Sequence, residues 1–406
     1  MLRAKGVILV QSIDLTAFNI IAMTARHHNL RAFANINISH LLANLANIRA
    51  LHANKSMIIM LKANAYGHGA VEIAKALDGL CEYFGVASVE EGIELILAGI
   101  EKTKVIVFSG FFSKDMVQTL IDYRLIPIIH SAYQYELLDE YFQSKHAEIW
   151  LKVNTGMNRL GLSEDEFEAL YTQAQSYCKP INALTHLAES ESCDQSFTLK
   201  QLQCFQALIK DKSFTHISAF NSAASLLNNN DFNTNTIRIG LALYGACAAA
   251  HPLLRCTLKP VMTLHSHVVA IQSIDVGDSV GYNRQYIAKS KTQIAIVTIG
   301  YGDGYPQAAP NGTMVAINGK VYPTAGKVSM DLMAIDIGMN KDIYIGDNVT
   351  LFGNHDLLVD DVAKHIGTSS YAMLTAINPR VKRFYLTSTD AETTQSVIKD
   401  TTASTK

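Results

Sequence analysis

The sequence predicts an α/β chain: a (β/α)8 barrel followed by a mainly β C-terminal domain. Eight short apolar runs alternate with amphipathic helical stretches along the first part of the chain. Near Lys259 that alternation stops, and short strands broken by Gly-Asp, Asn-Gly and Asp-Gly steps take over. Continuous apolar strands alternating with helices imply a parallel sheet covered on its outside. The rival is a doubly wound open sheet. A count of eight favours the closed barrel, and no stretch reads as a dinucleotide-binding glycine fingerprint.

Taken in order, residues 1–32 read as a poorly ordered N-terminal extension. Arg3 and Lys5 ahead of an apolar stretch hint at a signal peptide. Gln11, Ser12 and Asp14 interrupt that stretch, which is too short and polar to span a bilayer, and no small-x-small cleavage site follows. The plainer reading is a loose extension, or an early start codon with Met23 as the true start. Residues 33–258 read as the barrel. Asn37–Leu51 has apolar residues at helical spacing, and then the eight runs begin. They are MIIMLKA from Met57, EYFGVAS from Glu82, KVIVFSG from Lys104, LIPIIHS from Leu125, AEIWLKVN from Ala147, INALTHLA from Ile181, THISAFNS from Thr215 and TIRIGLALYG from Thr236. Stretches such as VEEGIELILAG and SEDEFEALYTQAQ between them carry helical periodicity and charged faces. Residues 259–386 read as the β-rich domain, with strands such as HSHVVAIQ, QIAIVTIG, MVAINGKVYP, DLMAIDIG and NVTLFG. One helix is expected over Asp360–Ile377, then a closing strand PRVKRFYL from Pro379. Residues 387–406, rich in Ser, Thr and charge, read as a loose tail.

Apolar residues make up 49% of the 406, enough for a large core. Lys plus Arg number 34 against 36 Asp plus Glu, a net charge of −2. That balance excludes nucleic acid or an anionic membrane as the main partner. Cys81, Cys178, Cys193, Cys204, Cys247 and Cys256 are scattered and form no C-x-x-C pair, as expected of reduced thiols in a cytoplasmic protein. His265 and His267 share a strand face but have no acidic or thiol neighbour in sequence, so a plain strand is favoured over a metal site.

In such a barrel the active site lies at the C-terminal strand ends. The first strand ends at Lys62, in LKANAYGHG. The fifth carries Lys152 and leads to Thr155, Gly156, Met157, Asn158 and Arg159. The sixth ends at His186, the seventh at Asn221 and Ser222, and the eighth carries Arg238 and Gly240. A lysine at a strand end is usually a solvated surface residue. Lys62, between an apolar strand and a Gly-rich turn, also fits a desolvated, nucleophilic amine able to attach to an aldehyde cofactor. Ser222 and the backbone near Gly240 follow the seventh and eighth strands, where barrels often bind phosphate. Gly240 fits a strand kink as well as a close backbone approach, and His186 fits a satisfied core histidine.

KANAYGHG at Lys62–Gly69, TGMNRLG at Thr155–Gly161, NSAA at Asn221–Ala224 and RIGLALYG at Arg238–Gly245 resemble the alanine racemase family. So do VGYNRQY at Val280–Tyr286, IGYGDGYP at Ile299–Pro306 and GKVSMDL at Gly326–Leu332. The match runs from about Phe33 to Tyr385 in the family's order. Two departures are Asn154, where the family has Asp, and Lys382, where it has Pro.

The resemblance implies pyridoxal 5'-phosphate carried on Lys62, with Tyr66, Ser222, Gly240, Leu241 and Tyr371 at the phosphate and Asn221 beside them. It places His186 against the ring and Arg238 at the pyridine nitrogen. It also implies that Arg159 supports the ring hydroxyl and the substrate carboxylate, which the Met330 amide also meets. Lys152 matches a carbamylated lysine, and Tyr301 and Asp331 match the substrate entrance. The implied reaction interconverts L-alanine and D-alanine, supplying D-alanine for peptidoglycan. Racemisation removes a proton from one face and returns one to the other, so two bases are expected. Lys62 is one, and Tyr282 is the other by resemblance, entering the partner's site in a homodimer. An arginine at the pyridine nitrogen stays charged and only donates, which should limit electron withdrawal and side reactions.

Three rival readings stand beside this one. A barrel-plus-β amino-acid decarboxylase would want an acid at the pyridine nitrogen, and Arg238 argues against it. A racemase of broader range differs by pocket contacts that sequence does not settle. A single barrel that merely stores the cofactor would need no second base, yet Tyr282 is present.

Overall fold

The computed structural model describes residues 30–138, 141, 148–176, 180–227, 232, 234–247 and 256–387. The expected extension as far as residue 29, the tail from residue 388 and Cys178 lie outside these residues.

Strand β1 (Ala32–Asn37) is followed by a helix, Ile38–Leu51, and then by the eight barrel strands. These are β2 (Ser56–Met60), β3 (Tyr83–Val86), β4 (Lys104–Val107), β5 (Ile126–Ile129), β6 (Ile149–Lys152), β7 (Ile181–Leu184), β8 (Ile217–Ser218) and β9 (Thr236–Ile239). All pairings are parallel, in the order β8-β7-β6-β5-β4-β3-β2-β9. Bonds from Asn235 N to Ile217 O (3.1 Å) and from Arg238 N to Phe220 O (2.9 Å) stitch the remaining β8/β9 edge. Every run expected from the sequence supplies one strand. The strands are short and almost wholly buried because the barrel interior and the helical layer cover both faces. Serine side chains cap several outer helices, and Ser163 with Glu166 makes a full capping box.

A polar knot seals the N-terminal end of the barrel. The buried Glu148 carboxylate accepts from Tyr83 Oη (2.7 Å), Asn182 Nδ2 (3.1 Å) and Lys104 Nζ (2.6 Å). Trp150, Tyr83 and His216 pack around it. The buried charge is compensated, which is the condition for tolerating it.

The second domain is an antiparallel sheet with one parallel edge. Its strands are β10 (Met262–Ile274), β11 (Ser279–Val280), β12 (Tyr286–Ile287), β13 (Thr292–Val297), β14 (Met314–Ile317), β15 (Lys320–Pro323), β16 (Met333–Gly338), β17 (Asn348–Phe352) and β18 (Lys382–Leu386). Strand β10 is the spine and pairs with β1, β13 and β17, while β11 and β12 form a separate hairpin.

Two expectations need correction. The barrel was expected to begin at residue 33, but β1 belongs to the second sheet: Phe33 pairs with His265 of β10 and Lys382 of β18. Only the second half of the segment AFANIN alternates between buried and half-buried residues, and its partners lie far along the chain. The single helix expected over Asp360–Ile377 is two, Val359–Ile366 and Ser370–Thr375. Gly367 closes the first in a left-handed cap, and the Ser369 side chain caps the second. His265 and His267 stack on Phe33 at 5.0 and 5.7 Å, and among the described residues no group of three potential ligands is placed to hold a metal. Cys81, Cys193 and Cys204 are free thiols. No helix among the described residues is long and apolar enough to cross a membrane.

Candidate active site

The C-terminal ends of the barrel strands carry a cluster of cations. Lys62 leaves β2 on a turn, Lys62–Tyr66, in which Ala63, Asn64, Ala65 and Tyr66 all have φ between +53° and +55°. Left-handed backbone costs non-glycine residues about 1–2 kcal/mol each, so the turn must be held by its surroundings. Glu91 holds it from one side, accepting from Ala63 N (2.8 Å) and Ala87 N (2.7 Å). The buried His68 ring holds the other end, with Nδ1 at 3.1 Å from Ala65 O and 3.0 Å from Tyr66 O. Burial and the nearby Arg159 and Arg238 guanidinium groups lower the Lys62 amine below the ordinary lysine range. It remains open to solvent at the mouth of the barrel.

Arg238 is almost fully buried on β9. Its Nη1 donates to Ser218 O (2.9 Å) and Ser218 Oγ (2.8 Å), and its Nη2 to Thr185 O (2.7 Å) and Ala219 O (3.2 Å). Nη2 also lies 3.3 Å from His186 Nδ1. A guanidinium has no lone pair to offer, so His186 must accept there. Burial first, then Arg238 and Lys152, push His186 down to about 2, and its ring is neutral at any working pH. Lys152 is buried beside Arg238, Arg159 and Lys62, and burial with these three charges pushes it down to about 8. Among the described residues no carboxylate pairs with Lys152, Arg159 or Arg238.

The seventh and eighth strand ends form a second part of the mouth. Ser222 Oγ accepts from Gly240 N (2.9 Å) and lies 3.4 Å from Ala242 N. Asn221 acts as a support, its Oδ1 accepting from Ser190 Oγ (2.9 Å) and Ala224 N (3.0 Å). A Cβ on Gly240 would lie 2.4 Å from the Tyr66 hydroxyl, so only glycine lets the tyrosine come this close. The Tyr66 ring sits 5.9 Å from that of Tyr371 and 5.1 Å from that of Tyr244. Burial pushes Tyr66 above the phenol range and Tyr371 up to about 12, so both are protonated donors. Leu241 opens the short turn Leu241–Tyr244 directly after Gly240.

Of the sequence-derived residues, Tyr282, Tyr301, Met330 and Asp331 stand apart from this cluster, on the second domain. The exposed Tyr282 lies on the turn between β11 and β12. Tyr301 N donates to Ser329 O (3.1 Å) and Gly302 N to Met330 O (2.9 Å), which fuses the Tyr301 and Met330 loops. Asp331 Oδ1 takes Arg380 Nη2 at 2.6 Å and Arg31 at 3.4 Å. Among the described residues no hydrogen bond or ring contact joins Tyr282 to the Lys62 cluster. The departure at Asn154 keeps the accepting role, its Oδ1 taking Gly156 N (3.1 Å) and Asn158 N (3.0 Å) as a carboxylate would, and adds a donation from Nδ2 to Asn158 Oδ1 (3.0 Å) that a carboxylate could not make. Sequence reading missed Glu91 and His68, which hold the Lys62 turn, and the Thr185 and Ser218 carbonyls on Arg238. His68 stood inside a quoted motif, whereas a backbone carbonyl leaves no signal in a residue type.

The donor set suits pyridoxal phosphate. A lowered lysine amine can react with an aldehyde, a predominantly cationic pocket suits an anion, and Gly240 with Ser222 forms a cradle that a side chain would fill.

Comparison with known proteins agrees. Residues 36–248 match the model of the alanine racemase N-terminal domain and residues 261–385 that of the C-terminal domain. The chain is 38% identical over 352 residues to the alanine racemase of Shewanella woodyi, covering 86% of this chain and 97% of that protein. It is 38% identical over 365 residues to that of Coxiella burnetii, covering 87% and 98%. Among solved structures, the alanine racemase of Acinetobacter baumannii is 35% identical with a TM-score of 0.81, covering 88% of this chain and 100% of that one. The alanine racemase of Bartonella henselae with covalently bound pyridoxal phosphate is 30% identical with a TM-score of 0.81, covering 88% and 99%. Barrel, β domain and cationic mouth therefore define an isomerase of the pyridoxal-phosphate-dependent fold type, a racemase. The chain belongs to the alanine racemase family.

Proposed function

We propose that this protein interconverts L-alanine and D-alanine in the cytoplasm, supplying D-alanine for peptidoglycan, with pyridoxal phosphate held on Lys62. The observation that carries the reading is the cluster of Lys62, Lys152, Arg159 and Arg238 around a neutral His186 at the barrel mouth, with Glu91 nearby only at Lys62. Tyr66, Ser222, Tyr371 and the Gly240–Leu241 backbone hold the phosphate, and Asn221 braces Ser222. His186, unable to protonate, packs against the ring. Arg238 presents a permanent donor to the ring nitrogen, fixed by four protein carbonyl and hydroxyl oxygens. When bound, the cofactor withdraws electrons from the α-carbon and so acidifies its proton.

The remaining work falls to the protein. Arg159 and the Met330 amide orient the substrate carboxylate, and Tyr301 and Asp331 border its way in. Lys62, freed as an amine, removes and returns a proton on one face. Tyr282 does so on the other, delivered by a second copy of the chain in a two-fold dimer with two identical mixed sites. Lys152 becomes a carbamate, an anion that orients Arg159.

Incubation with L-alanine tests the reading, with Lys62→Ala and Tyr282→Phe alongside. D-alanine should form with the wild type, and the Tyr282 variant should be impaired mainly in removing the α-proton of L-alanine. Cofactor binding without D-alanine formation would overturn the assignment.

A further inference from the structure

Tyr282 and Met330 lie on separate loops of the second domain, and a productive site needs them in fixed relation. We infer that Asn311 is the positioning residue that sets this relation by latching the two loops together. Its side-chain Nδ2 donates to Gln285 O at 2.8 Å, in the turn that carries Tyr282. Its Oδ1 accepts from Gly326 N at 2.5 Å, at the head of the loop that carries Met330. One planar amide thus uses a donor and the acceptor on two different loops, a geometry that an isosteric hydrocarbon would lose at both ends.

The base of the latch is itself fixed. Gly312 N donates to Thr324 O (3.0 Å), Thr324 N to Thr313 O (2.9 Å) and Thr313 Oγ1 to Pro310 O (2.8 Å). The turn bearing Asn311 is therefore tied to the end of β15 and moves with the sheet. Close packing adds to the latch: Gly326 has φ +86°, and a Cβ there would lie 2.7 Å from Val280 O, two residues before Tyr282. Tyr282 is 67% exposed; the β11/β12 ladder and the bond from Arg284 N to Gly281 O (3.3 Å) close the turn on itself, and its side-chain ties to the rest of the second domain include Asn311 and Tyr286 Oη on Asp336 (2.5 Å). Removing Asn311 should leave the fold intact and let the phenol wander from its working position. Small misplacements of a reacting group are costly in rate.

The inference rests on the two-base reading, and the test separates the two. Wild type, Asn311→Ala, Asn311→Asp and Tyr282→Phe holoenzymes are given D-alanine in deuterated water. Deuterium entering D-alanine without inversion, by exchange on the Lys62 face, is compared with L-alanine formed. Asn311→Ala should lower racemisation at least tenfold and raise the ratio of exchange to inversion, toward the Tyr282→Phe value. Asn311→Asp keeps the acceptor for Gly326 and should fall between them; it also serves if the alanine variant does not fold. A wild-type rate, or exchange and inversion falling in proportion, would overturn the latch. A wild-type ratio in Tyr282→Phe would instead overturn the two-base reading.

Discussion

Lys152 offers the sharpest chemical prediction. Its amine is buried among Arg238, Arg159 and Lys62 and is pushed down to about 8. At pH 8 about half of it is neutral, against about 0.3% for an ordinary lysine, a gain of roughly 150-fold in nucleophilic amine. A neutral amine in a cationic pocket should add carbon dioxide at its nitrogen and lose a proton to solvent, leaving a carbamate anion that the surrounding cations attract. If that anion orients Arg159, removing it forfeits a charge-assisted hydrogen bond of about 1.5–3 kcal/mol, or roughly 10- to 150-fold in kcat/KM. Protein equilibrated with carbon-13-labelled carbon dioxide should give a carbamate resonance that disappears in Lys152→Met, and that variant should lose activity in this range. No labelled carbamate together with a wild-type rate in Lys152→Met would refute the reasoning.

Other predictions follow from the same geometry. Gly240→Ala would put a Cβ 2.4 Å from the Tyr66 hydroxyl, so retention of pyridoxal phosphate after dialysis, read by absorbance, should fall at least tenfold. Arg238→Glu should raise half-transamination, measured as pyruvate released; an unchanged rate would remove the proposed role of a permanent donor at the ring nitrogen. Burial pushes His186 and His68 down to about 2 and about 4, so below the unfolded value near 6.5 the unfolded state takes up protons that the folded state refuses. The histidine contribution to stability should therefore be constant above pH 7 and fall as pH drops. At pH 5 the loss is about 2 kcal/mol for each histidine, visible as a lower urea midpoint.

The barrel was legible because most of its strands lie in short runs dominated by apolar residues, such as IPII and KVIV, which a doubly covered sheet demands. Strand β1 was not, because its partners His265 and Lys382 lie more than two hundred residues away and pairing of that kind leaves no local mark. The split at Gly367 was readable in principle, since a glycine followed by Ser369 carries both a C-cap and an N-cap signal. At the site, the resemblance named Lys62, Lys152, Arg159, His186 and Arg238, which lie together at the barrel mouth, and also Tyr282, Tyr301, Met330 and Asp331, which stand apart on the second domain. It passed over Glu91, His68 and Asn311, whose work is to satisfy backbone groups on other segments. The left-handed run from Ala63 to Tyr66 was also invisible, because Ala and Tyr do not advertise positive φ.

The central claim is a site assembled from Lys62 of one chain and Tyr282 of another. Mixing Lys62→Ala and Tyr282→Phe chains in equal amounts, by co-refolding or co-expression, tests it directly. Half of the dimers should be mixed, each with one intact site of two, so about a quarter of the wild-type racemase rate should return from two nearly inactive parents. A mixture no more active than the average of its parents would contradict the shared site and place both bases within a single chain.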